Sequence, residues 1–242
     1  MKKAIVVGAS RGIGLQVVIS LLDDGYEVYA LSSNFEQLAL PTSQLIETKA
    51  GNLHVIQCDL EDVADRASAI RTLRGSGLFS ALVFVSGLPY GGRLGMVLLE
   101  DVRRVFEVNT LAFIELLQGL IRSFERPASV VVVSSTAASF SQVGNSVYGA
   151  SKIALERMVA SFALEFRDKG IRFNCVAPAL VDTQMLEVMG GQAREETLQA
   201  VNSERALTTR EVSDVVRFLL SSESLAINGE VVDLGRNLPL NN

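Results

Sequence analysis

Tyr148 and Lys152 stand four residues apart in Ser146-Val-Tyr-Gly-Ala-Ser-Lys152, a spacing that puts both on one face of a helix. A phenol then sits beside an ammonium. A free phenol has a pKa of about 10 and yields its proton poorly at neutral pH, whereas a positive charge within a few Å favours the phenolate. The expected chemistry is general acid–base transfer by Tyr148, with Lys152 lowering its pKa. Tyr-x-x-x-Lys also occurs by chance on solvated helix faces, so its weight depends on the surrounding residues. A second pattern, Gly8-Ala-Ser-Arg-Gly12-Ile-Gly14, follows a short apolar run and opens an amphipathic stretch. In that context backbone N–H groups at a helix N-terminus meet a pyrophosphate. The spacing Gly-x-x-x-Gly-x-Gly differs from Gly-x-Gly-x-x-Gly, and such a turn can also be purely structural.

These residues need a scaffold, and the chain order supplies one. Short apolar runs at 4–7, 27–31, 53–57, 81–85, 129–133, 172–176 and 230–234 read as seven strands. Between them, residues 12–24, 61–74, 100–123, 146–169 and 210–222 carry apolar side chains near the helical period. Such βαβ repetition predicts an α/β, doubly wound Rossmann-type parallel sheet with helices on both faces. The segment around Pro41 is the weakest helix candidate. No linker or repeat divides the chain, so residues 1–242 are expected to form one dinucleotide-binding and catalytic domain. Residues 182–205, with Gly190-Gly191 and many charges, are expected to be a mobile lid.

Composition narrows the function classes. A net charge of −5 and the lack of any Lys/Arg run argue against a nucleic-acid partner. Only four apolar residues precede Gly8, too few for a secretory h-region or a membrane span, so no membrane partner and a cytoplasmic location are expected. Cys58 and Cys175 lie in apolar strand-like segments without Cys-x-x-Cys spacing, which reads as buried thiols and no metal site. The sole histidine, His54, lacks a triad context, so serine-hydrolase chemistry is disfavoured.

Further residues fall in register with the glycine turn and the Tyr148–Lys152 pair. Ser135 ends Val131-Val-Val-Ser-Ser135, Asn109 ends Phe106-Glu-Val-Asn109, Asp59 follows the third strand, and Asn174-Cys-Val-Ala-Pro178 leads to Val181 and Thr183. Singly, Ser135 reads as a loop cap, Asn109 as a plain helix residue and Asp59 as a helix cap. Jointly, over almost its full length, the chain resembles the short-chain dehydrogenase/reductase family, and in particular its 3-oxoacyl-acyl-carrier-protein reductase-like branch.

The resemblance implies hydride transfer between nicotinamide C4 and a ketone or secondary alcohol. Tyr148 would be the acid/base, Ser135 would steady the substrate oxygen, Lys152 would hold the ribose and Asn109 would hold a water leading to solvent. It also implies cofactor contacts from Gly8, Ser10, Arg11, Gly12, Ile13, Gly14, Ser32, Ser33, Asn34, Asp59, Leu60, Ser86, Gly87, Tyr148, Lys152, Pro178, Val181 and Thr183. Neutral Ser32-Ser33-Asn34 and Arg11 lean toward NADP(H); Glu36 leans the other way, and NAD(H) stays open. Arg126 and Lys169 could dock an acidic acyl carrier protein, or simply be surface cations. Phe140, Met185, Leu186 and Met189 hint at a partly apolar small-molecule substrate. A catalytically silent nucleotide-binding regulator is the alternative. A homodimer or homotetramer built on helices four and five is implied as well; the apolar run 108–117 is consistent with it, and core packing explains that run equally. The chain departs from the family pattern at Val7, Val85, Ala179 and Arg236. Val7 and Val85 are expected to be a matched apolar pair where the family has hydrogen-bonded Thr and Asn.

Overall fold

After Lys3 the first strand, β1 (Lys3–Val7), is apolar throughout, and its burial explains why. Ile5 and Val7 enter one apolar cluster while Ala4 and Val6 enter another. A strand whose side chains alternate between two buried faces needs a continuous apolar run. The computed structural model describes residues 1–35, 51–183 and 191–237. Pro41, Glu36, Met185, Leu186, Met189 and Gly190 lie outside them.

From β1 the chain continues through α1 (Gly12–Asp23), β2 (Glu27–Ser32), β3 (Leu53–Gln57), α2 (Val63–Gly75) and β4 (Phe79–Phe84). There follow α3 (Leu99–Phe106), α4 (Ala112–Leu120), β5 (Phe124–Val133), α5 (Ser146–Glu165), β6 (Ile171–Pro178), α6 (Gly191–Ala200), α7 (Thr209–Leu220) and β7 (Val231–Leu234). All seven strands pair in parallel in the order β3-β2-β1-β4-β5-β6-β7. One face is covered by α2, α4 and α5 through Leu73, Phe113, Leu116 and Leu155. The other is covered by α1 and α7 through Val17, Leu21, Val212 and Val216. The expected three-layer, doubly wound sheet is therefore present. Its strand order reverses direction between β1 and β4, and ligands of such sheets bind outside the carboxyl ends at that point.

Several boundaries differ from expectation for local reasons. The stretch 100–123 is broken by a π-helical turn, Glu107–Leu111, between α3 and α4. The helix expected over 146–169 ends at Glu165, and a 3₁₀ turn closed by Gly170 in the left-handed region (φ 70°) follows it. Asp62, not Asp59, caps α2 by accepting from the backbone N–H groups of Ala64 and Asp65. Part of the expected lid is α6. Val7 joins the first cluster and Val85 packs against the second, so their side chains diverge. Only their backbones meet, Val85 N donating to Val7 O at 2.9 Å, and the matched-pair expectation fails because alternate faces, not a shared one, receive the two side chains. Cys58 and Cys175 are buried free thiols. No helix among the described residues is long and apolar enough to cross a membrane.

Candidate active site

The glycine turn lies at the carboxyl ends of β1 and β4, and two of its glycines allow backbones to come close. Gly8 has φ 86°, and a Cβ there would lie 2.8 Å from the Ser86 N after β4. At Gly14 a Cβ would fall 1.9 Å from the Gly8 carbonyl oxygen, so α1 packs directly on the turn. The helix starts without a side-chain cap from Arg11 and has no acidic residue in its first turn. Its leading N–H groups thus present uncompensated positive dipole, which suits a phosphate-bearing ligand. Thr183 reaches the same turn, its Cγ2 3.2 Å from where a Cβ on Gly12 would be. Ser32 at the end of β2 donates to the Ser10 hydroxyl at 2.8 Å, and Cys58 N, beside Asp59 and Leu60, donates to Ser32 O at 2.9 Å. These contacts gather Ser10, Gly12, Ser32, Ser86 and Thr183 around one glycine turn at the carboxyl ends of β1, β2 and β4.

At the end of β5, three consecutive residues engage one face of α5. Lys152 is 2% exposed and its Nζ donates to Val133 O at 3.1 Å. Ser134 donates to Glu156 Oε1 at 2.6 Å. Ser135 lies beside the Tyr148 phenol, and its hydroxyl accepts from Ala137 N at 3.1 Å, which orients it. Residues 148, 152 and 156 are successive i, i+4 positions, so a single helix stripe reads a single strand end.

The electrostatics reverse one expectation. Loss of surrounding water pushes the partly buried Tyr148 phenol up to about 12, against which the Ser135 hydroxyl acts only in part. Burial likewise brings Lys152 down to about 8. Lys152 does not depress Tyr148 in the protein alone, because its Nζ lies 5.8 Å from the phenol ring centroid and spends a hydrogen bond on Val133. Desolvation, invisible in the spacing of the two residues, outweighs their proximity.

Asn109 is fully buried in the π-helical turn. Its Oδ1 accepts from Leu88 N at 2.6 Å, and its Nδ2 donates to Leu88 O at 3.1 Å and to Ser151 Oγ at 3.0 Å. Gly87 lies between this side chain and Lys152: a Cβ on it would be 2.9 Å from Lys152 Nζ and 3.9 Å from Asn109 Oδ1. Asn109 thus shapes the loop facing Lys152. Asn109→Ala would strand a donor and an acceptor of Leu88, and is expected to cost about 1–3 kcal/mol in urea unfolding.

Two contributors were not singled out by sequence. Arg66, 3% exposed, pairs with Glu107 at 2.6 Å and also bonds Glu115 and the Leu60 carbonyl, tying the segment after β3 to the turn that bears Asn109. Glu156 stands eight residues beyond Tyr148, and only the helical period hinted at it. Asp59 is exposed, and its Oδ1 accepts from Glu61 N at 3.0 Å. His54 is held in β3 by Glu27 at 2.9 Å and stacks on Tyr29.

A parallel sheet of this order, with a glycine turn at its switch point and a Tyr–Lys helix beside it, defines a class of nucleotide-binding oxidoreductases. The model of the short chain dehydrogenase family matches residues 2–193, and the chain belongs to that family. Dehydrogenase/reductase SDR family member 4 of Rattus norvegicus is 29% identical, the match covering 98% of this chain and 87% of that one. A 3-oxoacyl-acyl-carrier-protein reductase of Thermotoga maritima is 27% identical over 98% of this chain and 97% of its own. Among solved structures, a blue fluorescent protein from a metagenomic library in complex with NADPH superposes with a TM-score of 0.90 at 27% identity, covering 98% and 97% of the two chains.

Proposed function

We propose that the chain is a nicotinamide-dependent oxidoreductase that reduces a small-molecule ketone to a secondary alcohol, as one dinucleotide-binding and catalytic unit. The convergence of Ser135, Tyr148 and Lys152 at the end of β5 carries this reading. A bound nicotinamide supplies the hydride. The chain's own residues supply position and a proton: Tyr148 gives its phenolic proton to the carbonyl oxygen as negative charge grows there, and Ser135 donates a hydrogen bond to the same atom. With Tyr148 at about 12 and Lys152 at about 8, both protons are in place near neutrality.

The 8–14 turn and the N-terminus of α1 would hold the pyrophosphate, Asp59 and Leu60 the adenine, Ser86, Gly87 and Lys152 a ribose, and Pro178, Val181 and Thr183 the nicotinamide. Absorbance of the reduced nicotinamide, followed with a panel of ketones that includes a 3-oxoacyl thioester, tests the reading. Consumption is expected with at least one ketone; binding without turnover on any of them would overturn it.

Neutral Ser32, Ser33 and Asn34 at the end of β2, with Arg11 across the turn, suit a 2′-phosphate and hence NADP(H). The NADPH complex of the metagenomic relative supports the same choice. Ser33→Asp, which puts a carboxylate where the phosphate would lie, is expected to weaken NADPH binding at least tenfold with little change for NADH. Fluorescence titration of both cofactors checks this, and a parent preference for NADH would refute the assignment. The exposed apolar side chains of Leu111 in the π-helical turn and of Ile153 and Leu164 on α5 suit burial against a second copy, a homo-oligomer that sedimentation would read.

A further inference from the structure

The segment that follows β7 has no part in the proton transfer just described, yet it touches three others that border Ser135 and the stretch from Val181 to Thr183. A Cβ on Gly235 would lie 2.9 Å from Leu207 Cδ1 and 3.2 Å from Ala179 Cβ. Leu207 in turn bridges Val181 in parallel and accepts from Asp182 N at 2.7 Å, so Gly235 backs the turn after β6. Arg236 Nη2 donates to the Ser139 hydroxyl and pairs with Asp233 at 3.3 Å. Ser139 passes the bond on, donating to Thr136 O at 3.3 Å, next to Ser135. Asn237 N donates to Val201 O at 3.1 Å, and its Oδ1 accepts from Asn202 Nδ2 at 2.9 Å.

Those last contacts seize the end of α6. Asn202 N donates to Gln199 O at 3.0 Å and Ser203 N to Leu198 O at 2.9 Å, with Asn202 left-handed at φ 52°, a closure by which helices commonly end. Asn237 is left-handed too, at φ 54°. Among the described residues these are the only non-glycine positions with positive φ, and they are bonded to each other. Asparagine is one of the few side chains that tolerate this conformation. From the other side, Gln142 Nε2 donates to Thr197 Oγ1 at 3.5 Å, so the loop after β5 meets α6 directly as well as through residues 236 and 237.

We propose that Arg236 and Asn237 are positioning residues that together clamp α6 to the loop after Ser135, fixing the spacing of the two segments between which the ketone binds. The proposal rests on the oxidoreductase reading for its kinetic consequence, but not for the clamp itself. Adjacent residues that bond different segments, one through Ser139 and the other through Val201 and Asn202, hold those segments in register only while both sets of bonds are made. Arg236 is also a departure from the family pattern, and the clamp gives that departure a role.

The substitution Asn237→Gly permits the left-handed backbone and deletes the acceptor for Asn202, whereas Asn237→Asp keeps both an acceptor and the conformation. Arg236→Met removes the donor to Ser139 on the other arm. In the protein without added ligand, amide hydrogen exchange is expected to quicken by about three- to tenfold at residues 197–203 in Arg236→Met and at residues 136–142 in Asn237→Gly, each change felt on the arm that keeps its own bonds. For ketone reduction, KM should rise by about three- to tenfold in both variants with kcat within about twofold of the parent's, and Asn237→Asp should restore the parent's KM. A merely structural contact would loosen its own arm alone and would not divide KM from kcat. An unchanged exchange rate on the far arm in either variant overturns the proposal, and so does an unmoved KM. If Arg236→Met does not fold, Ser139→Ala removes the same bond and is read in the same way. If the parent reduces no ketone, the oxidoreductase reading fails, while exchange on the far arm still decides the clamp.

Discussion

Tyr148→Phe is expected to lower kcat/KM for ketone reduction by about 10²–10⁴-fold, the range that a positioned proton donor contributes. The change deletes one oxygen and keeps the ring, so the packing of α5 against β5 should survive. The partner left behind is the Ser135 hydroxyl, which still accepts from Ala137 N at 3.1 Å. Urea midpoint and NADPH affinity should therefore stay close to the parent's, and the loss should be confined to turnover. Removing the phenol also removes a group whose pKa is raised to about 12. A raised acid stabilises the fold below its ordinary pKa of 10, and that contribution fades as pH climbs from 10 through 12. The stability of Tyr148→Phe relative to the parent should accordingly improve across that alkaline range. Steady-state kinetics with paired urea melts check both statements. Parent-like turnover in the phenylalanine variant would remove Tyr148 from the mechanism.

What could be read from sequence follows the physics that leaves a periodic mark. The doubly buried β1 required its unbroken apolar run, Gly14 its missing Cβ, and the stripe 148–152 its four-residue step; each is a one-dimensional signature of a three-dimensional constraint. The π-helical turn at Glu107–Leu111 leaves no such mark. Helical segments lie directly on either side of it, each with apolar side chains near the helical period, so residues 100–123 read as one helix. The direction of the Tyr148 shift is hidden from the sequence for a different reason. Spacing reports who is near whom, whereas desolvation depends on everything packed around the hydroxyl. Ser134–Glu156 and Arg66–Glu107 are likewise pairings between residues 22 and 41 positions apart, and only the folded sheet brings them together.

Lys152→Met should separate function from stability. Turnover is expected to drop by about 10²–10³-fold, as when a preorganised charge or donor is lost from a reacting site. Stability should move the other way. Lys152 titrates at about 8 in the folded chain against an ordinary 10.5. Above about 10.5 the amine is neutral in both folded and unfolded chains and carries no penalty. As pH falls from 10.5 towards 8 the unfolded chain takes up the proton first, and the folded state loses stability. Below 8 both are charged and the penalty is complete, on the order of 3 kcal/mol. Methionine has a similar length and no charge, so it avoids this cost while leaving the Val133 carbonyl without its donor, a loss of about 1–3 kcal/mol that does not vary with pH. The variant's advantage over the parent in urea unfolding should thus grow as pH is lowered from 10.5 to 8 and then level off. Groups that ionise at higher pH, Cys58 at about 11 and Tyr148 at about 12, are common to both chains and largely cancel from the difference. A difference that stays flat across that interval would mean Lys152 keeps its ordinary pKa in the folded protein, and would leave its amine without the buried strain that marks it as functional.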